Sequence, residues 1–509
     1  MKGKMLLWLL PMLLLLGCAD TEKPSEELPP PSDSSILAET TAVPSVTLSI
    51  GEVALTQTSL TLSAVESDFA ELEKLPSLEF VDFSGSTCYE KILAYGKAHP
   101  EVEVRYTVQV GEQSVAYDET ELTLSAWEES LPTQVEYLPN LERIVFSEPL
   151  SVSDAEKARE LSVPTSYTVS VAGQTIESEA TEADWSALSP SHCEELKAAL
   201  LVLPNLNRIQ LTNEAWTLEQ VGVLQAVREE LVVDYPISAF GITFSTAVET
   251  LVLNEIRMKD KLDELRALVP YLKCCHQIDM EDCRVSNETM AELREELAPD
   301  IKVVWKIRCD RYECRTDSIM IKFSTGKPML RDKDVKALRY CNEVRYLDLG
   351  HNKLHRMEFL EYMPDLEVCI IAVCSVVDIT GIEHCTKLEY CELLSGMIKD
   401  ISPLAACTEL KHLNLSYNYI KDITPLYGLT KLERLWISRN QIPSEQVEAM
   451  QAIVPDCIIN TTSMNPTGEG WRDHPRYEQL RAQFYYDYSG IKSYTTLPDV
   501  PPIKEEEEP

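Results

Sequence analysis

Residues 344 to 462 repeat with a period of 22 in six successive units. A unit that short cannot bury its own apolar face, so each copy must stack on its neighbours. Val344 opens the series, and Leu366, Leu388, Leu410, Leu432 and Val454 begin the next five units. A second apolar position runs Leu347, Cys369, Cys391, Leu413, Leu435, Cys457, and a third runs Leu349, Ile371, Leu393, Leu415, Ile437, Ile459. Apolar-x-apolar is the signature of a short strand with both apolar side chains turned to one side. Stacked units therefore place these strands in a parallel sheet. A ladder position runs Asn352, Cys374, Gly396, Asn418, Asn440, Thr462. Asparagine there can bond the backbone of the adjacent turn and cysteine can substitute, while Gly396 and Thr462 fit the role less well.

This pattern resembles the leucine-rich-repeat family. Asp378-Ile-Thr-Gly-Ile382, Asp400-Ile-Ser-Pro-Leu404 and Asp422-Ile-Thr-Pro-Leu426 resemble the internalin-type bacterial subclass, in which Asp-Ile-x-Pro-Leu shapes a tight convex turn. The first unit departs from it, with His355-Arg-Met in that place. The resemblance implies an α/β leucine-rich-repeat solenoid, with parallel strands and a helical convex side, over 326–462.

Upstream, over 46–325, longer and irregular α/β repeats are expected. Leu78-Glu-Phe-Val-Asp-Phe83, Leu141-Glu-Arg-Ile-Val-Phe146, Leu206-Asn-Arg-Ile-Gln-Leu211 and Cys275-His-Gln-Ile-Asp-Met280 recur in phase with Val344. Ser286 to Leu297 carries apolar residues at helical spacing, and residues 102–110 read as a second strand. Gly111 and Gly173 turn hairpins into further strands. Two readings stand open: atypical strand-helix coils with a hairpin inserted in each long unit, or a set of separate small α/β modules.

The termini read as addresses and tethers. Lys2 and Lys4 precede an apolar run of twelve, Met5 to Leu16, too short to span a bilayer as a helix. It ends Leu15-Leu16-Gly17-Cys18, which resembles the lipobox of bacterial lipoproteins. That resemblance implies cleavage of a signal peptide, 1–17, lipidation of Cys18, and an extracytoplasmic, cell-surface chain held to the membrane by its lipid. An ordinary signal peptide with an incidental cysteine is the alternative. Residues 18–45 are rich in Pro, Ser, Glu and Thr and read as a disordered tether. Residues 463–489, with Trp471 and the stretch from His474 to Tyr488, read as a segment capping the last coil, and 490–509 as a disordered acidic tail.

The formal net charge is −37, which argues against nucleic acid as a partner. Hydrophobic residues make up 44% of the chain, so it can bury a large core. No G-x-S-x-G elbow, phosphate-cradling glycine loop or H-E-x-x-H occurs, so neither enzyme nor cofactor is expected. Cys369, Cys391, Cys457, Cys341, Cys385 and Cys407 sit at repeat positions and read as small apolar core residues, with Cys385 and Cys407 close enough to cross-link. Cys309 and Cys314 bracket an expected hairpin and are a candidate disulfide. Cys274, Cys275, His276 and Cys283 lack paired C-x-x-C knuckles, and His351 and His355 lack an acid in metalloprotease spacing, so no metal is expected.

Strand alternation points a defined set outward on the concave sheet. One column is Tyr346, Val368, Tyr390, His412, Arg434, and the next is Asp348, Ile370, Glu392, Asn414, Trp436, with Leu394, Tyr417 and Arg439 beside them. Exposed Tyr, Trp and Arg are the currency of protein interfaces, and Val368, Ile370 and Leu394 would add an open apolar patch. Tyr346, Tyr390, Glu392, His412, Asn414, Tyr417, Arg434, Trp436 and Arg439 are therefore the candidate ligand-binding residues, for a protein or a glycan. A structural envelope spacer is the alternative function, and a metal-handling or enzymatic lipoprotein a more remote one.

Overall fold

A computed structural model describes residues 43–324, 327–485 and 492–498. The expected signal peptide, the lipidation site Cys18, nearly all of the tether and most of the acidic tail lie outside the described residues. Among the described residues no helix is long and apolar enough to cross a membrane. The chain divides into two compact units, residues up to 119 with 130–140, and residues 120–129 with 141 onward.

In the first unit, Ser59–Thr61, Phe80–Asp82 and Glu103–Arg105 pair in parallel, and Thr107–Val110 and Gln113–Ala116 form a hairpin. The second unit repeats this plan three times. Its parallel sheets centre on Arg143–Phe146, Arg208–Gln210 and Gln277–Asp279, and hairpins follow at Thr168–Val171, Pro236–Ala239 and Lys306–Cys309. The ladder breaks after every third strand, so each long repeat is a three-stranded parallel sheet of strand-helix coils followed by its hairpin.

One buried aromatic marks each break. Tyr106, Tyr167, Tyr235 and Trp305 stand between the third parallel strand and the hairpin, and all four are buried. Their carbonyls accept from Tyr117, Ser178, Thr246 and Thr316, the residues that leave the hairpin. The three phenols donate to the carbonyls of Tyr137, Val202 and Trp216. Such a residue cannot continue the ladder, because its carbonyl is already committed to closing the hairpin. Residues 102–110, expected as one strand, are for this reason two, Glu103–Arg105 and Thr107–Val110. The hairpins turn where expected. Ala172 and Gly173, at φ 47° and 83°, take the two left-handed positions of a tight turn, as do Phe240 and Gly241 at 57° and 90°.

From Met320 onward the ladder no longer breaks. Met320–Lys322, Tyr346–Asp348, Val368–Ile370, Tyr390–Glu392, His412–Asn414, Arg434–Trp436 and Ile458–Asn460 pair in parallel, each 22 residues or so after the last. The inward residues Leu347, Cys369, Cys391, Leu413 and Leu435 pair in one register and are buried. The ladder position works as its chemistry requires. Asn418 donates to the carbonyls of Leu393 and Leu415, both at 2.9 Å, and accepts from Ile398 N at 3.1 Å. Asn352 and Asn440 make equivalent sets, and the Cys374 thiol donates to Leu349 O. Gly396 has its own reason: a Cβ there would come within 2.8 Å of Asn418 Oδ1. On the convex side Asp400 and Asp422 accept from Ser402 N and Thr424 N, and Pro403 and Pro425 open single 3-10 turns at Ser402–Ala406 and Thr424–Gly428.

Two expectations are corrected here. The first concerns thiols. Hairpin register sets Cys314 opposite Ile307 and Cys309 opposite Tyr312, so Cys309 and Cys314 are not partners. The Cys314 sulfur instead lies 3.9 Å from that of Cys341 on the next coil. Cys385 and Cys407 are free and buried, and each donates to a carbonyl of the preceding coil, Leu360 O and Ile382 O. The second concerns the C-terminal segment. Its helix, Pro475–Tyr485, does form. It does not cap the last coil. The segment turns back across the concave face, and Lys492–Tyr494 pairs antiparallel with Met320–Lys322, at the opposite edge of the sheet.

Candidate functional site

Each candidate residue on the five central strands occupies its expected column. Tyr346, Val368, Tyr390, His412 and Arg434 are strand neighbours in one row, and Asp348, Ile370, Glu392, Asn414 and Trp436 in the other. Their exposure is not as expected. Tyr346, Tyr390, Glu392, His412, Asn414, Arg434 and Trp436 are buried, and so are Val368 and Leu394 of the anticipated open patch. Only Arg439 is exposed, with Tyr417 half-buried.

The physical reason is apolar complementarity within the chain. Tyr346, Val368, Tyr390 and Trp436 form one core with Trp471, Leu480 and Phe484 of the returning segment. Trp471 lies fully buried, its ring centre 5.6 Å from Tyr390 and 5.3 Å from Trp436, with the Arg434 guanidinium 4.5 Å above it. Its indole N–H donates to Glu392 Oε1 at 2.8 Å, and the Tyr390 hydroxyl donates to the same oxygen. Burial raises the pKa of both Glu392 and Asp348.

The face holds this segment largely by its backbone. Tyr417 donates to Met464 O at 2.6 Å, Asn414 to Pro466 O at 2.9 Å, Trp436 to Gly468 O at 3.1 Å and Arg434 to Trp471 O at 2.9 Å. Four of the nine candidate residues thus bind backbone carbonyls of a turn-rich peptide, and that peptide belongs to the same chain. Between segment and sheet a cavity of about 260 Å³ remains, floored by Asp348, Tyr390 and Glu392 and roofed by Arg472, Tyr477 and Arg481.

Sequence spacing did not reveal one further cluster, His412, Glu433 and His474, whose ligand atoms lie within 4.8 Å of one another. Its hydrogen bonds disfavour a cation. His412 Nδ1 accepts from Arg434 Nε at 3.2 Å, and His474 Nδ1 accepts from the backbone N–H of Arg476 at 3.1 Å. Each neutral ring therefore carries its proton on Nε2, the remaining nitrogen that a metal would need. Burial, then the charge of Arg434, lowers His412 to about 2 and His474 to about 4. The cluster reads as part of the contact between segment and sheet.

With the central sheet closed, the turn edge is the open face of these coils. Val373, Val377, Met397 and Tyr419 are 45%, 47%, 39% and 51% exposed on three adjacent coils. Met397 N bonds Val376 O and Tyr419 N bonds Ile398 O, so the coils that carry them are directly stacked. No alternation rule finds this stripe, because it lies on the turn rather than the strand.

Comparison with known proteins supports the repeat assignment. The family model for leucine-rich repeats matches residues 408–449 as two copies. No curated protein matches the chain. Among solved structures, the chain is similar to an internalin of Listeria monocytogenes at 15% identity and a TM-score of 0.26, over 70% of this chain and 87% of that one. Internalin C2 of the same organism is 20% identical at a TM-score of 0.23, over 30% and 76%. A leucine-rich-repeat protein of Leptospira interrogans is 13% identical at a TM-score of 0.27, over 80% and 93%. The fold assignment rests on the coils and on the 408–449 match, and the superpositions add nothing about ligands.

Proposed function

We propose that this chain is a binding protein without catalytic activity, held outside the cytoplasm by a lipid on Cys18, that recognises a protein partner through its leucine-rich repeats. The observation that carries the recognition reading is the exposed apolar group of Val373, Val377, Met397 and Tyr419 on three stacked coils, with Met397 and Tyr419 in register. Exposed apolar side chains gathered on stacked coils cost solubility and gain contact area for a partner. Cross-linking on intact cells, with the wild type and a Met397→Asp/Tyr419→Asp variant, tests it. The reading predicts a cross-linked partner that the variant loses while keeping its circular dichroism. A partner retained by the variant would remove the stripe from the account. The anchor is tested separately, since Cys18→Ala should move the protein from the membrane to the soluble fraction.

A second reading keeps the concave residues as a ligand site that the chain's own segment occupies until a partner displaces it. It is favoured by polar atoms at or beside that contact, Ser416 Oγ, Ser438 Oγ, Arg434 Nη2 and Gln483 Oε1, which are buried with no hydrogen-bond partner among the described residues. A partner that satisfied them would recover part of the penalty for burying them unpaired, about 1–3 kcal/mol each. The variant that discriminates is Trp471→Ala, which should raise partner capture if the segment competes and leave it unchanged if the stripe alone binds.

A further inference from the structure

The first regular coil departs from the turn of its successors, and the departure is one of charge. Asp378, Asp400 and Asp422 occupy one position on three consecutive coils, and the first coil has Arg356 there. A different carboxylate holds this turn: Asp332, from the preceding coil, accepts through Oδ1 from His355 N at 2.7 Å and Arg356 N at 3.3 Å. This frees the turn to carry positive charge. Between these two coils lies an open cleft of about 920 Å³ on the turns away from the concave sheet.

Six lysines and arginines line the cleft, Arg331, Lys333, Lys336, Arg339, Lys353 and Arg356, against three acids, Asp332, Glu358 and Glu361. The whole chain has 46 Lys and Arg against 83 acids, so the cleft inverts the prevailing sign. All six basic side chains are exposed. Arg356 pairs with Glu358 at 2.9 Å, and Arg339 with Glu288 at 3.2 Å. The side chains of Arg331, Lys333, Lys336 and Lys353 make no ion pair among the described residues. Arg331 and Lys353 are bridge partners on adjacent coils, which sets their side chains next to one another. Like charges gathered in this way repel.

We propose that this cleft binds a small ligand carrying two or more phosphate groups. Guanidinium forks and ammonium groups together suit phosphate oxygens, and a phosphate group can bring more than one negative charge to the four unpaired cations. The volume exceeds what one phosphate fills. Size is bounded from the other side by the field of the chain. A long polyanion meets the net −37 beyond the cleft, whereas a short one lies within the screening length, about 8 Å at physiological salt, of the local cations. Phe359 in the floor and exposed Tyr362 at the rim offer apolar surface to whatever bears the phosphates.

Calorimetric titration of the full chain with inorganic tripolyphosphate, at low and at physiological salt, tests the assignment. It predicts saturable binding with one ligand per chain that weakens as salt rises. Lys333→Glu/Lys353→Glu should weaken it about tenfold or more, since both charges are inverted. Lys399→Glu/Lys421→Glu, in the same row on later coils but outside the cleft, should leave it unchanged. Sedimentation with phosphatidylcholine vesicles containing phosphatidylglycerol separates two sources of phosphate: co-sedimentation that tripolyphosphate abolishes assigns the site to a lipid headgroup, and binding of tripolyphosphate alone assigns it to a soluble ligand. Absence of binding at low salt, equal loss in both double variants, or citrate binding as tightly as tripolyphosphate would overturn the proposal.

Discussion

Trp471 is the residue on which closure of the concave face most depends, and its replacement has a calculable cost. Trp471→Ala removes a fully buried indole that packs on Tyr390 and Trp436. Large-to-small changes of that kind cost about 3–5 kcal/mol. It also removes the donor to Glu392 Oε1, a buried carboxylate that keeps only the Tyr390 hydroxyl. Loss of a hydrogen bond to a charged group adds about 1–3 kcal/mol, for a sum of about 4–8 kcal/mol. Trp471→Phe keeps most of the packing and loses only the donor, so it should cost about 1–3 kcal/mol. Global unfolding of a chain with two units is a poor readout. Amide hydrogen exchange in the helix Pro475–Tyr485 is a better one, because an isolated helix that short is barely stable and its protection reports docking on the sheet. The expected order is a loss of protection of about a thousandfold for Ala, from roughly 4 kcal/mol, and about tenfold for Phe. Protection in the Ala variant within about threefold of wild type would refute the energetic role assigned to Trp471.

Three further outcomes follow from the same geometry. Asn418→Ala should cost about 2–5 kcal/mol, because Leu393 O and Ile398 N are left buried without their partner while Leu415 O keeps only Asn440; amide hydrogen exchange in the strands His412–Asn414 and Arg434–Trp436 measures it, and a loss under about 1 kcal/mol would contradict the ladder. His412, lowered to about 2, and His474, lowered to about 4, stay neutral when the segment is docked and protonate near 6.5 when it is released, so docking should weaken as pH falls from about 6.5 and be indifferent above it. Asp348 and Glu392, raised by burial, act in the opposite sense as pH falls through their folded values, so the test is His474→Gln, which should flatten the decline in helix protection between pH 6.5 and 4. Treatment with glutathione disulfide should join Cys314 to Cys341, whose sulfurs need to close by about 2 Å, and peptide mapping that instead found Cys309 joined to Cys314 would contradict the hairpin register.

The regular repeat was legible because its information is local. A strand of three residues, a ladder residue and a turn fit inside 22 positions, so the columns from Tyr346 to Arg434 and from Asp348 to Trp436 follow from counting. What covers those columns was not legible, because Trp471 contacts Glu392 across 79 residues and no periodicity relates them. A signal existed in composition. A row containing Tyr346, Val368, Tyr390 and, on the next column, Trp436 is too apolar for an open face, and Trp471, Leu480 and Phe484 are the aromatic and aliphatic groups that match it. The breaks in the longer repeats were missed for a related reason. Alternation in residues 102–110 favours one strand, and only the side-chain and carbonyl bonds of Tyr106 show why it becomes two. The basic cleft was visible only as a departure at His355-Arg-Met, since its charges come together from two coils.

The central claim is that the predicted ligand-binding face is closed by the chain's own C-terminal segment. Hydroxyl-radical footprinting of the full-length protein under native conditions tests it without altering a residue. The account predicts that Tyr390, Trp436 and Trp471, at 0%, 1% and 0% exposure, are protected, while Tyr419, Met464 and Tyr362, at 51%, 73% and 45%, are oxidised readily. Oxidation of Tyr390 and Trp436 at the rate of Tyr419 would show the face open and contradict it.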